Sequence, residues 1–189
     1  MPFKGRSQIC SIPNLISLFR LLLIPVMVTL YFKGKTVGAL CVFILSALSD
    51  IADGLIARRF DMVTDLGKML DPLADKLTQG AALVCAAKSH HQLFFLLGFM
   101  AMKELAQAAV GAHSIKHTGK VYSAMWYGKL CTVITTAFLM SMFAFPRLPE
   151  AVVNGMLILC ALLMLGSLGL YAKRYHTLND EADKEKRIR

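Results

Sequence analysis

The sequence is poor in what marks soluble and secreted proteins. Charged residues make up only 17% of its 189 positions against 56% hydrophobic ones, and mean hydropathy is +0.56. That balance excludes an ordinary soluble domain of this size and points to an integral membrane protein. The five cysteines, Cys10, Cys41, Cys85, Cys131 and Cys160, include no C-x-x-C pair, and four lie within apolar runs. This spacing excludes a disulfide framework and a zinc site, so they read as small buried hydrophobes. No internal repeat is visible. No small-residue cleavage site follows the first apolar run, which is also too long for a signal-peptide core, so that run is expected to be retained.

Charge is scarce but one-sided, with 21 Lys and Arg against 12 Asp and Glu. The basic residues sit at helix ends and tails, not along a soluble groove, which argues against a nucleic-acid partner. Membrane orientation and contact with anionic membrane lipids explain them more simply.

Long apolar stretches recur over residues 12–32, 37–57, 69–87, 92–115, 121–145 and 151–171. Their lengths suit bilayer-spanning helices. The expectation is an all-α polytopic membrane protein of six transmembrane helices, forming a single domain over 1–189. Residues 1–12 read as an interfacial segment and 173–189 as a charged cytoplasmic tail, a frayed helix. Pro25 is expected to kink the first span, and Pro72 to sit in the first turn of the third. With the N-terminus inside, Lys4, Arg6, Arg58, Arg59, Lys68, Lys116, Lys120, Lys173 and Arg174 fall on the cytoplasmic side. Lys33, Lys35, Lys88 and Arg147 fall outside, so the positive-inside rule supports a multi-pass protein of the cell membrane in that orientation.

The chemistry concentrates between Asp50 and Asp75. Asp50 and Asp53 are three residues apart and Asp71 and Asp75 four, so each pair shares one face of a helix. Four carboxylates inside a membrane helix bundle are unstable unless cations neutralise them, and oxygen ligands point to Mg²⁺, Mn²⁺ or Ca²⁺. Gly54 and Gly67 let a ligand or another backbone approach closely, and Arg58, one turn beyond Gly54, is suited to pair with a phosphate. Counting along the helices puts Asp53, Asp71, Asp75, Arg20 and Lys129 in the cytoplasmic half, with Lys103 and Glu104 nearer the middle. These charges are expected to line one polar cavity open to the cytoplasm. His113 and His117, one turn apart without a neighbouring carboxylate, read as headgroup-boundary residues. Intramembrane carboxylates also occur in cation or proton transporters, but those show polar outer halves and broken or repeated helices, which are missing here.

The order Asp50-x2-Asp53-Gly54-x2-Ala57-Arg58-x8-Gly67-x3-Asp71-x3-Asp75 resembles the full signature of the CDP-alcohol phosphatidyltransferases. The resemblance implies that Asp50, Asp53 and Asp71 hold one or two metals, taken here as Mg²⁺ or Mn²⁺. Asp75 would bridge to metal and act as general base, and Gly54, Ala57, Arg58 and Gly67 would line the cytidine diphosphate site. CMP would be the leaving group, and a homodimer the assembly. Ile12-Pro13-Asn14 with Arg20, and Gly128-Lys129 after Trp126, resemble the phosphatidylglycerophosphate synthase branch and, more distantly, the cardiolipin synthases. That implies transfer of a phosphatidyl group from CDP-diacylglycerol to glycerol 3-phosphate, with Arg20, Lys103 and Lys129 binding the acceptor. Lys103-Glu104 stands where that branch usually has Arg-Glu, and Gly111 replaces a second arginine. Phosphatidylglycerol or inositol phosphate therefore stand as alternative acceptors.

Overall fold

In the computed structural model the backbone is described over residues 12–59, 65–118 and 126–188, and side chains over 14–55, 59, 70–109, 128 and 130–173. The described residues form six helices and no strand. They are α1 (Ile12–Phe32), α2 (Thr36–Arg59), α3 (Asp65–Ala87), α4 (Leu93–Thr118), α5 (Trp126–Ala144) and α6 (Glu150–Ile188). The interfacial segment expected over residues 1–12 lies outside the described residues except for Ile12, which opens α1.

Among the described residues, three helices carry stretches long and apolar enough to cross a membrane: Asn14–Phe32, Thr36–Leu55 and Glu150–Lys173. A shorter apolar run, Leu130–Ala144, lies in α5. At about 1.5 Å per residue, the 19 to 24 residues of the three long stretches match a hydrocarbon core of about 30 Å. α3 and α4 include Asp71, Asp75 and Lys76, and Lys103 and Glu104, respectively.

The chain divides into two compact units, Met1–Ser89 with Leu139–Leu148, and His90–Phe138 with Pro149–Arg189. In the first unit, α1 packs against both α2 and α3, which touch each other far less. The turn from α1 to α2 is closed by Gly34 at φ 76°. There the Gly34 amide donates to the Tyr31 carbonyl and the Lys35 amide to the Leu30 carbonyl, both at 3.0 Å. This is the Schellman arrangement, in which a glycine takes the left-handed conformation and the last helical carbonyls are satisfied. It reverses the chain, so α2 runs back along α1.

The buried faces of these helices change character along their length. On α2, Ala39 and Phe43 are followed at helical spacing by Ser46 and Asp53; on α1, Asn14, Ser17 and Arg20 precede Met27 and Tyr31. Because the two helices are antiparallel, both polar stretches fall at the same end. At the apolar end, the rings of Tyr31 and Phe43 flank Phe143 of α5, with centroids 4.7 and 5.6 Å away. In the second unit, α4 packs against α6. Leu93, Leu96, Met100 and Lys103 form the buried stripe of α4, facing a similar stripe of Val153, Cys160, Met164 and Ser167 on α6.

Two sequence expectations need correction. Pro72 does not sit in the first turn of its helix: α3 begins at Asp65, so Pro72 lies two turns inside it. An acidic residue stabilises a helix N-terminus, and with Asp65 at its start the helix extends ahead of its apolar part. Cys41 is exposed, whereas Cys85, Cys131 and Cys160 are buried. α1 runs as one helix through Pro25, with the Thr29 hydroxyl donating to the Pro25 carbonyl at 2.6 Å.

Candidate active site

The first unit brings together four of the charged residues singled out in the sequence. Arg20 is buried to 2% exposure, and its guanidinium reaches three carboxylates from two helices. Nη1 donates to Asp50 Oδ1, Nη2 donates to Asp53 Oδ2 at 2.9 Å, and Nη2 also reaches Asp71 Oδ1 at 3.4 Å. Asp53 is as buried as the arginine, while Asp50 and Asp71 retain 47% and 38% side-chain exposure. One side of the cluster is thus sealed by protein and the other open.

Burial of a lone ion costs several kcal/mol, so Arg20 and Asp53 persist in the interior only because each answers the other. Among the described residues the buried Arg20 Nε has no hydrogen-bond partner. The guanidinium is therefore held through its two Nη atoms alone.

One residue on α1 that the motif reading did not name belongs to this cluster. The Ser17 hydroxyl donates to Asp71 Oδ1, the same oxygen that Arg20 reaches. Asn14, at 4% exposure, lies one turn earlier on the same buried face. The signal was available in the sequence: Asn14, Ser17 and Arg20 recur every three residues through an otherwise apolar helix, making one polar stripe.

Asp75 lies one turn after Asp71 on α3 and is half-buried. Gly54 follows Asp53 on α2. Ala57 and Arg58 continue α2 toward its C-terminus and Gly67 lies in the first turn of α3, but the surroundings of all three lie outside the described side chains. Lys103 and Lys129 belong to the second unit. Lys103 is 5% exposed and donates to Glu104 Oε1 at 2.8 Å. Lys129 is placed on α5 by its backbone alone, and the histidine pair His113 and His117 likewise on α4.

Among the described residues, no group of three His, Cys, Asp or Glu side chains is arranged to hold a metal ion by itself. Asp50, Asp53 and Asp71 instead converge on one cationic group, the Arg20 guanidinium. A set of carboxylate oxygens gathered from α2 and α3 around one positive charge has the hard-oxygen chemistry that Mg²⁺ or Mn²⁺ requires. In donor type, though not in arrangement, the set suits a divalent cation.

Comparison with known proteins bears on the same residues. Residues 10–167 match the family model described as CDP-alcohol phosphatidyltransferase. The chain is 36% identical to the CDP-diacylglycerol–glycerol-3-phosphate 3-phosphatidyltransferase of Pectobacterium atrosepticum, over 77% of this chain and 81% of that protein. It is 32% identical to the protein of the same name from Sodalis glossinidius, over 87% and 96% of the two chains. An 82-residue stretch, 43% of this chain and 14% of the other, is 40% identical to a cardiolipin synthase (CMP-forming)/mitochondrial hydrolase fusion protein of Schizosaccharomyces pombe.

Proposed function

Since the chain belongs to the CDP-alcohol phosphatidyltransferase family, we propose that it transfers the phosphatidyl group of CDP-diacylglycerol to glycerol 3-phosphate and releases CMP. The observation that carries this reading is the convergence of Asp50, Asp53 and Asp71 on a single buried positive charge. A site that gathers acidic oxygens around one cation suits a reaction whose donor is a diphosphate. The acceptor follows from the names of the relatives, which include glycerol-3-phosphate phosphatidyltransferases sharing about a third of their residues with this chain over most of its length.

In this reading Asp50, Asp53 and Asp71, with Asp75, hold Mg²⁺ or Mn²⁺. When bound, such a cation neutralises the diphosphate and stabilises the departing phosphate. The rest falls to the chain. Gly54, Ala57, Arg58 and Gly67 line the cytidine diphosphate, the glycines leaving room for its close approach and Arg58 pairing with phosphate. Asp75 takes the proton from the acceptor hydroxyl as its oxygen attacks the phosphorus on the diacylglycerol side. The bond from that phosphorus to the bridging oxygen breaks, and CMP carries the electron pair away. Arg20, Lys103 and Lys129 supply positive charge for the acceptor's own phosphate. Both compact units belong to one membrane domain, a reading supported by a family match that spans them. It works as a homodimer in the cell membrane with its site open to the cytoplasm.

The test is CMP release by the purified protein in detergent with CDP-diacylglycerol and Mg²⁺ or Mn²⁺. Release is expected to depend on glycerol 3-phosphate and to be lost in Asp75→Asn, with metal binding at least partly kept. Release only with phosphatidylglycerol, or with inositol phosphate, would overturn the acceptor. No metal-dependent release with any acceptor would overturn the reaction, and undiminished turnover in Asp75→Asn the base.

A further inference from the structure

The guanidinium of Arg20 lies among the carboxylates assigned to the cation, and this sets up a competition. Asp50 Oδ1, Asp53 Oδ2 and Asp71 Oδ1 all face the two Nη atoms of Arg20. A divalent cation held by the same three carboxylates draws on the same small set of oxygens. Two positive groups cannot both be served by them at contact distance without repelling each other.

We propose that Arg20 is a resident counter-ion of the carboxylate cluster, holding Asp50, Asp53 and Asp71 together until a divalent cation displaces it. The inference rests on the reading that this cluster is the cation site, and adds an exchange step before the substrates bind.

Three features of the first unit carry it. Burial is the first: at 2% exposure the Arg20 guanidinium cannot be neutralised by water, and Asp53 is equally enclosed, so each needs an opposite charge nearby when no cation is bound. The second is incomplete satisfaction, since Arg20 Nε has no acceptor among the described residues. A structural ion pair in a membrane interior would be expected to use every donor, whereas a group that must leave is better held partially. The third is access. Asp50 and Asp71 are 47% and 38% exposed, so an incoming cation can meet their carboxylates first and reach Asp53 as the arginine withdraws.

The exchange also connects to the proposed reaction. Once released from the carboxylates, the forked donor is free to take a phosphate bidentately. Cation loading would thereby turn Arg20 from a ligand of the cluster into a group for the acceptor. No covalent bond changes in this step; one cation replaces another at fixed carboxylates.

The experiment measures Mn²⁺ binding to the full chain in detergent after treatment with EDTA, by titration calorimetry, for wild type, Arg20→Gln and Arg20→Lys. Removing the competitor is expected to tighten Mn²⁺ binding in Arg20→Gln by about 10-fold or more, the size of an ordinary coupling between two ligands. Arg20→Lys keeps a charge but loses the fork, and is expected to fall between the two. It also keeps the test open should the glutamine variant fail to fold. In EDTA the thermal midpoint of Arg20→Gln should lie below that of wild type, with the gap closing as Mn²⁺ saturates the folded protein. Unchanged or weaker Mn²⁺ affinity in the variants that fold would overturn the counter-ion role while leaving the cation site intact. No Mn²⁺ binding by wild type would overturn the cation site itself, and the exchange with it.

Discussion

At the scale of single residues, the site is a problem of opposed roles on one helix. Ser17 and Arg20 both reach Asp71 Oδ1 from α1, but they differ in what a cation would make of them. A hydroxyl is neutral and can keep its hydrogen bond to a carboxylate that is also bound to a metal, so it orients the ligand. A guanidinium is charged and must give way. Substitutions at the two positions should therefore act with opposite sign. Ser17→Ala is expected to weaken Mn²⁺ binding by about 10-fold, the low end of what loss of an outer partner of a metal ligand produces, and Ser17→Thr should largely restore it. Equal Mn²⁺ affinities for wild type and Ser17→Ala in titration calorimetry would show that Ser17 does not orient Asp71. The gathering of Asp50, Asp53 and Asp71 was legible in the sequence because carboxylates inside an apolar run have few explanations, and their spacing matched a family signature. Arg20 was legible as a buried charge near them. Its pairing was not, since nothing in the spacing says which buried partner a long side chain will choose. Ser17 escaped notice because a serine in a membrane helix can satisfy itself on its own backbone, as Ser49 does through the Leu45 carbonyl at 2.8 Å.

At the scale of helices, apolar periodicity located all six but set their ends less well. α1 and α2 start and stop within two residues of the apolar runs, and where the two meet the chain passes directly from lipid-suited sequence to the turn at Gly34. α3 and α6 do not. α3 starts at Asp65 ahead of its apolar part, and α6 continues to Ile188 through the charged tail. Helical hydrogen bonding does not need apolar side chains, and a span anchored in a bundle supplies the nucleus from which a polar extension can propagate. Pro72 shows the other side of this. Lacking an amide hydrogen, it cannot serve the Lys68 carbonyl, yet the helix continues through it next to Asp71. The α1–α2 turn offers a cleaner test of local chemistry. An added Cβ at Gly34 would meet nothing within 4 Å, so Gly34→Ala should cost only the strain of a left-handed residue, about 1 kcal/mol. Reversible unfolding in mixed detergent would measure it. A variant as stable as wild type would mean that the α1–α2 turn does not need this conformation in the membrane protein.

At the scale of the whole molecule, the surface reads as that of a protein dissolved in lipid. Leu15, Leu18, Phe19 and Leu22 of α1, Leu45 and Leu48 of α2, and Leu159 and Leu162 of α6 are all exposed. In water such faces would drive aggregation, whereas in hydrocarbon they cost nothing. The same logic explains why α3 is not among the apolar stretches that the structure picks out by composition. Its charged residues include Asp71, which turns toward α1, and an average over a helix cannot tell an inward polar stripe from a polar surface. We therefore expect α3, α4 and α5 to cross the bilayer together with α1, α2 and α6, which puts both termini on one side, the cytoplasm if the positive-inside rule holds. Single cysteines at Lys35, Lys88 and Arg147 in a cysteine-free background should react with a membrane-impermeant maleimide added outside intact cells. Cysteines at Arg59 and Lys173 should react only after the membrane is opened. Labelling of position 59 from outside would put the C-terminal end of α2, and the carboxylates beside it, on the wrong face for a cytoplasmic nucleotide. Reaction at 35 and 88 but not at 147 would keep α1, α2 and α3 as proposed and remove a crossing by α4 or α5. Because Asp50 and Asp53 lie within three turns of Arg59 on one helix, the side on which that residue reacts decides which compartment supplies the cation and receives CMP.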